Sequence, residues 1–116
     1  MKAESPIRFE RSARHHYDEL SLSDSIVLEM IAKGMIYYAF LDPKDLSTPE
    51  VNRPLPVIFL TCWMPPDTLG SGIAEILLYL DGNHTTVFHV EQLTQVWERY
   101  WRAHDPEAGE KLRALR

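Results

Sequence analysis

Lys33-Gly34-Met35-Ile36-Tyr37-Tyr38-Ala39-Phe40-Leu41 is the stretch whose reading decides the fold. Upstream, Ser21-Leu22-Ser23-Asp24 offers side chains that cap helix N–H groups, so a helix should begin there. Val27, Met30, Ile31, Gly34, Tyr38 and Leu41 then recur at three- and four-residue spacings, the mark of one apolar helical face. Two readings of Gly34 stay open. In one, a left-handed glycine cap ends the helix and 35–41 is a buried strand. In the other, which we prefer on spacing, the helix runs on to Leu41 and stops before Pro43. The second reading puts Ile36, Tyr37 and Phe40 on the face that begins polar at Glu29 and Lys33, where only a partner could cover them.

Downstream, six of the eight prolines fall between Asp42 and Gly72, so 42–56 reads as a Pro-rich loop. Val57 to Trp63 is rich in β-branched and aromatic residues and predicts a strand. Ile73–Leu80 and Thr85–Val90 predict two more, joined by the turn Asp81-Gly82-Asn83-His84. Residues 91–104 predict a C-terminal helix opened by Glu91, with Leu93, Trp97, Tyr100, Trp101 and His104 as its apolar stripe. Asp105-Pro106 ends that helix and can restart a short one. Residues 1–20 show poor periodicity and read as an arm or a frayed helix. The expected fold is one α+β domain over 1–116, a small three-stranded antiparallel sheet with N- and C-terminal helices packed against it.

The chain has 116 residues, 45% hydrophobic and 25% charged, which fits one ordinary domain. Its net charge of −5 is unevenly spread: residues 21–98 hold ten acidic and three basic groups, netting −7. An acidic body repels phosphate backbones, so direct nucleic-acid binding is not expected. The single cysteine, Cys62, excludes an intrachain disulfide and suits a reducing compartment. The N-terminal residues lack a secretory signal's apolar stretch, and the run Met35–Leu41 is too short to span a bilayer. The expectation is a cytoplasmic protein without a membrane segment.

Chemistry-bearing residues do not assemble into a signature. His15 and His16 are neighbours and should point apart, and His84 and His89 stand five apart, which predicts opposite strand faces. No zinc-type spacing is present, so neither a metal nor another cofactor is expected. Cys62 sits in an apolar strand and should be a buried, neutral thiol. Gly70-Ser71-Gly72 lacks the preceding strand and following helix of a phosphate loop. A surplus of aromatic surface remains. Ile36, Tyr37 and Phe40, then Trp97 and Trp101, are the expected anchors of a homodimer or partner interface.

The runs Ser23-Asp24-Ser25-Ile26-Val27 and Met35-Ile36-Tyr37-Tyr38, with the length and acidity of the chain, resemble the QslA-type quorum-sensing anti-activators of pseudomonads. The resemblance implies a dimeric α+β protein that binds the ligand-binding domain of a LuxR-type transcription factor. It would thereby block that regulator's dimerisation and DNA binding. Other classes compatible with a small acidic α+β chain are a toxin-immunity protein, a secretion chaperone, and a small enzyme built around His84 or His89.

Overall fold

The protein is described by a computed structural model covering residues 7–42, 53, 56–65 and 72–115. The proposed Pro-rich loop at 42–56 and the Gly70-Ser71 pair lie almost wholly outside the described residues. The chain order is β1 (Ile7–Phe9), a 3-10 turn (Arg11–Arg14), α1 (Tyr17–Leu20), α2 (Asp24–Lys33), β2 (Met35–Phe40), β3 (Val57–Trp63), β4 (Ile73–Asp81), β5 (His84–Gln92), α3 (Gln95–His104) and α4 (Ala108–Leu115).

The sheet corrects the expected three antiparallel strands. It has five strands in the order β1-β5-β4-β3-β2, and β1 pairs parallel with β5 while every other pairing is antiparallel. The two additional strands lie at the edges. β1 is only three residues long, paired to a strand nearly eighty residues away, and such a contact leaves no local periodicity to read. β2 is the stretch preferred above as helix.

Gly34 accounts for that second correction. Ser23 caps α2 as expected, its hydroxyl accepting the Ile26 N–H at 3.2 Å, and Val27 and Met30 face the core. The helix stops after Lys33, but without a left-handed glycine: φ at Gly34 is −116°. What selects glycine is crowding. A Cβ there would sit 3.2 Å from the carbonyl oxygens of both Met30 and Trp63. Gly34 N–H donates to Met30 O, and Gly34 O accepts the Trp63 N–H, both at 2.7 Å, so one residue closes the helix and opens the β2–β3 ladder.

The sheet is covered on both faces. Strand alternation sends Leu60, Cys62, Ala74, Ile76, Leu78, Val87 and Val90 to one face, where Ala13, Tyr17, Leu20, Val27 and Met30 meet them. It sends Val57, Phe59, Ile73 and Leu77 to the other, against Trp101, Ala108 and Leu112 from α3 and α4. Phe88 joins this second face through a β-bulge, because Leu77 pairs with His89 while Leu78 pairs with Val87. The turn at Gly82-Asn83 forms where expected, with Gly82 at φ +59°. Glu91 does not open the last helix. It lies in β5 opposite Glu75, and α3 begins at Gln95 behind the N-cap Thr94.

Candidate functional site

β2 is the outermost described strand on its side of the sheet, and it carries no charged residue. Leu41 N–H donates to Val57 O at 2.8 Å, continuing the β2–β3 ladder. Alternate residues of an antiparallel strand turn their backbone groups to opposite sides. The N–H and C=O of Tyr38 and Phe40 are therefore directed away from β3, off the edge of the sheet. Met35, Tyr38 and Phe40 pair with Cys62, Leu60 and Ile58, so their side chains share the face that α2 covers. α2 does not reach over them: they are 46%, 54% and 56% exposed.

The five expected anchors divide on this geometry. Phe40 stands on the exposed strip. Ile36 and Tyr37 pack on the opposite face among the second core cluster. Tyr37 stacks on Trp101 with ring centroids 6.3 Å apart, and Trp97 stacks on Phe59 at 4.8 Å. Trp101 is fully buried, its indole N–H donating to Asp105, so in this chain it is a core residue. The helix reading sets Tyr38 on the core-facing stripe with Met30 and Leu41; in the strand it is exposed instead, beside Met35 and Phe40.

A second grouping lies on the α3 side of the sheet. In the ladder Thr61 pairs with Glu75 and Glu75 with Glu91, which puts the three on one face. Glu75 is 1% exposed. Its Oε1 accepts both the backbone N–H and the hydroxyl of Thr94, each at 2.7 Å, and its Oε2 lies 2.7 Å from His89 Nε2. His89 Nε2 is also 3.7 Å from Glu91 Oε2, and His16 Nε2 approaches that same oxygen at 3.6 Å. His16 is held through Nδ1 by Glu19. The sequence signal for this grouping was Glu75, the one charge inside the apolar run Ile73–Leu80.

The remaining histidines are scattered. His84 contacts Arg8, and His104 Nδ1 lies 2.8 Å from the Tyr100 carbonyl oxygen. The bulge in β5 changes the strand's parity, so alternation counted along the sequence does not give the relative faces of His84 and His89. Cys62 is buried, and burial pushes its thiol up to about 12. No described helix is long and apolar enough to cross a membrane. The chain matches no protein-family model, no curated protein and no solved structure.

Proposed function

We propose that this chain is a non-enzymatic protein-interaction module that works by strand addition at β2. The observation that carries this reading is the uncharged edge strand Met35–Phe40, whose outward backbone groups at Tyr38 and Phe40 adjoin exposed apolar side chains. Edge strands exposed to water are normally blunted by charge, proline or a covering element, because their unpaired amides template another strand. β2 has neither a charge nor a proline within it. Main-chain hydrogen bonds would supply affinity, and the side chains on the exposed face would supply specificity.

The first occupant is a second copy of this chain. Antiparallel pairing about a two-fold axis through Ala39 sets Tyr38 of one copy opposite Phe40 of the other, so the two outward-directed residues exchange backbone hydrogen bonds and their side chains share a face. The client is a LuxR-type regulator, a choice supported by the sequence resemblance alone. An acidic protein that covers such a regulator's dimer surface would withhold it from DNA, and each 1.4 kcal/mol of advantage over the regulator's self-association is tenfold in occupancy.

Sedimentation velocity of the full chain tests the docking element. The wild type should sediment as a dimer, and Tyr38→Lys with Phe40→Lys should give a folded monomer. A wild-type chain that stays monomeric at high concentration, or a double variant that dimerises unchanged, removes the strand-addition reading. The client is tested separately by electrophoretic mobility of operator DNA with a LuxR-type regulator. The chain should release the DNA, and failure to do so rejects that client.

A further inference from the structure

We propose that Glu75, His89 and Glu91 form a binding site for one divalent transition-metal ion of the zinc class. One donor atom from each of the three lies within 4.8 Å of those from the other two. An ion held at about 2.0–2.2 Å from nitrogen and carboxylate oxygen requires donors roughly 3 to 3.6 Å apart. The separations here, 2.7 Å from His89 Nε2 to Glu75 Oε2 and 3.7 Å to Glu91 Oε2, bracket that spacing.

Three further observations favour a cation. Glu75 is almost wholly enclosed with a second carboxylate, Glu91, opposite it in the ladder, and a buried carboxylate is costly without compensating positive charge. The ligand oxygens are also held from behind. Thr94 fixes Glu75 Oε1 with two hydrogen bonds, leaving Oε2 directed to His89, the outer support that orders metal-binding carboxylates. Lastly, Thr61 stands directly across from Glu75 on the same face, fully buried, and its hydroxyl has no hydrogen-bond partner among the described residues. A buried hydroxyl without a partner is uncommon, and this one adjoins the enclosed ligand Glu75. His16, facing Glu91 Oε2 at 3.6 Å, adds an imidazole at the margin of the site. Imidazole among the donors selects a transition ion over Mg2+ or Ca2+, which prefer oxygen alone.

Binding exchanges one bond set for another. The hydrogen on His89 Nε2 is given up, to Nδ1 of a neutral ring or to solvent from an imidazolium, and the nitrogen lone pair and carboxylate oxygens coordinate the ion. Nothing is oxidised or reduced, and the site does not depend on what β2 binds.

Calorimetric titration of the chelator-treated full chain with Zn2+, with Co2+ absorption as a second readout, tests the assignment. One ion should bind per chain, and excess Mg2+ should not displace it. Glu91→Gln and His89→Gln should each weaken binding about tenfold or more. A triple variant His15→Ala/His84→Ala/His104→Ala should keep it. Circular dichroism confirms that each variant is folded, and the partly exposed Glu91 makes its variant the safer of the two. Absence of binding by the wild type, affinity unchanged in both ligand variants, or loss of binding in the triple variant would each overturn the proposal.

Discussion

Trp101 Nε1 donates to Asp105 Oδ2 at 2.9 Å, one helical turn away, and both residues are buried. The same carboxylate accepts the Lys111 ammonium at 2.9 Å and, through Oδ1, the Glu107 N–H at 3.0 Å. Asp105 thus ends α3, starts the turn into α4 and fixes the indole against Tyr37. Asp105→Ala leaves the buried indole N–H without its acceptor, which costs about 1–3 kcal/mol. Urea unfolding followed by tryptophan fluorescence should show that loss, with Lys111→Met, at the more exposed end of the network, costing less.

Two glycines should respond to alanine for different reasons. At Gly34 the added methyl meets two backbone oxygens at 3.2 Å, neither of which can swing aside. Overpacking of that kind costs about 1–3 kcal/mol and should loosen the start of β2. At Gly82 there is open space, but φ is +59°. Alanine there should cost about 1–2 kcal/mol through backbone strain alone. Asparagine, which tolerates that conformation, should rescue Gly82 and fail at Gly34. Thermal melts of the four variants separate the two causes.

These positions also show where the sequence was readable. The β4–β5 hairpin was legible because its turn residues and flanking apolar runs are local and agree. Met35-Ile36-Tyr37-Tyr38-Ala39-Phe40 was not, because a short, wholly apolar run has no period that separates strand from helix. Its state is decided by the approach of Trp63 to Gly34, a contact across nearly thirty residues. The Glu75–His89 pair depends on the bulge in β5, and a bulge shifts alternation without any sign in composition. Phe40 was legible as surplus surface, whereas Tyr37 and Trp101 turned out to fill the space between β2 and the C-terminal helices.

Acid should unfold this protein by a defined route. Glu10, Asp24 and Asp105 all ionise below their ordinary values. For Glu10 burial opposes ionisation, but bonds from Arg53, Tyr79 and Ser12 outweigh it; at Asp105 Lys111, Trp101 and the Glu107 N–H do the same. At Asp24 the Arg14 guanidinium is the main cause, with Tyr17 adding to it against some burial. A carboxylate with a depressed folded pKa stabilises the fold above its unfolded value and loses that contribution as pH falls through the folded one. Stability should therefore hold down to the ordinary values of 4.5 and 3.8 and decline below them. Urea midpoints measured from pH 7 to pH 2 should show this, and Glu10→Gln should be less stable at neutral pH with a shallower decline.

Cys62 provides a reporter for global opening. It lies fully buried between α2 and the sheet, and burial alone raises its thiol to about 12, so the nucleophilic thiolate is scarce at neutral pH. In the native protein a disulfide reagent at pH 8 should react only as fast as the first core exposes itself. In urea the same thiol should react at the rate of a free cysteine. Because Cys62 pairs with Met35, labelling also reads the β2 edge: Gly34→Ala should accelerate it, while Gly82→Ala, at the far end of β4, should raise it only in proportion to lost global stability. Equal acceleration by the two variants, at equal loss of stability, would show that β2 opens only with the whole domain.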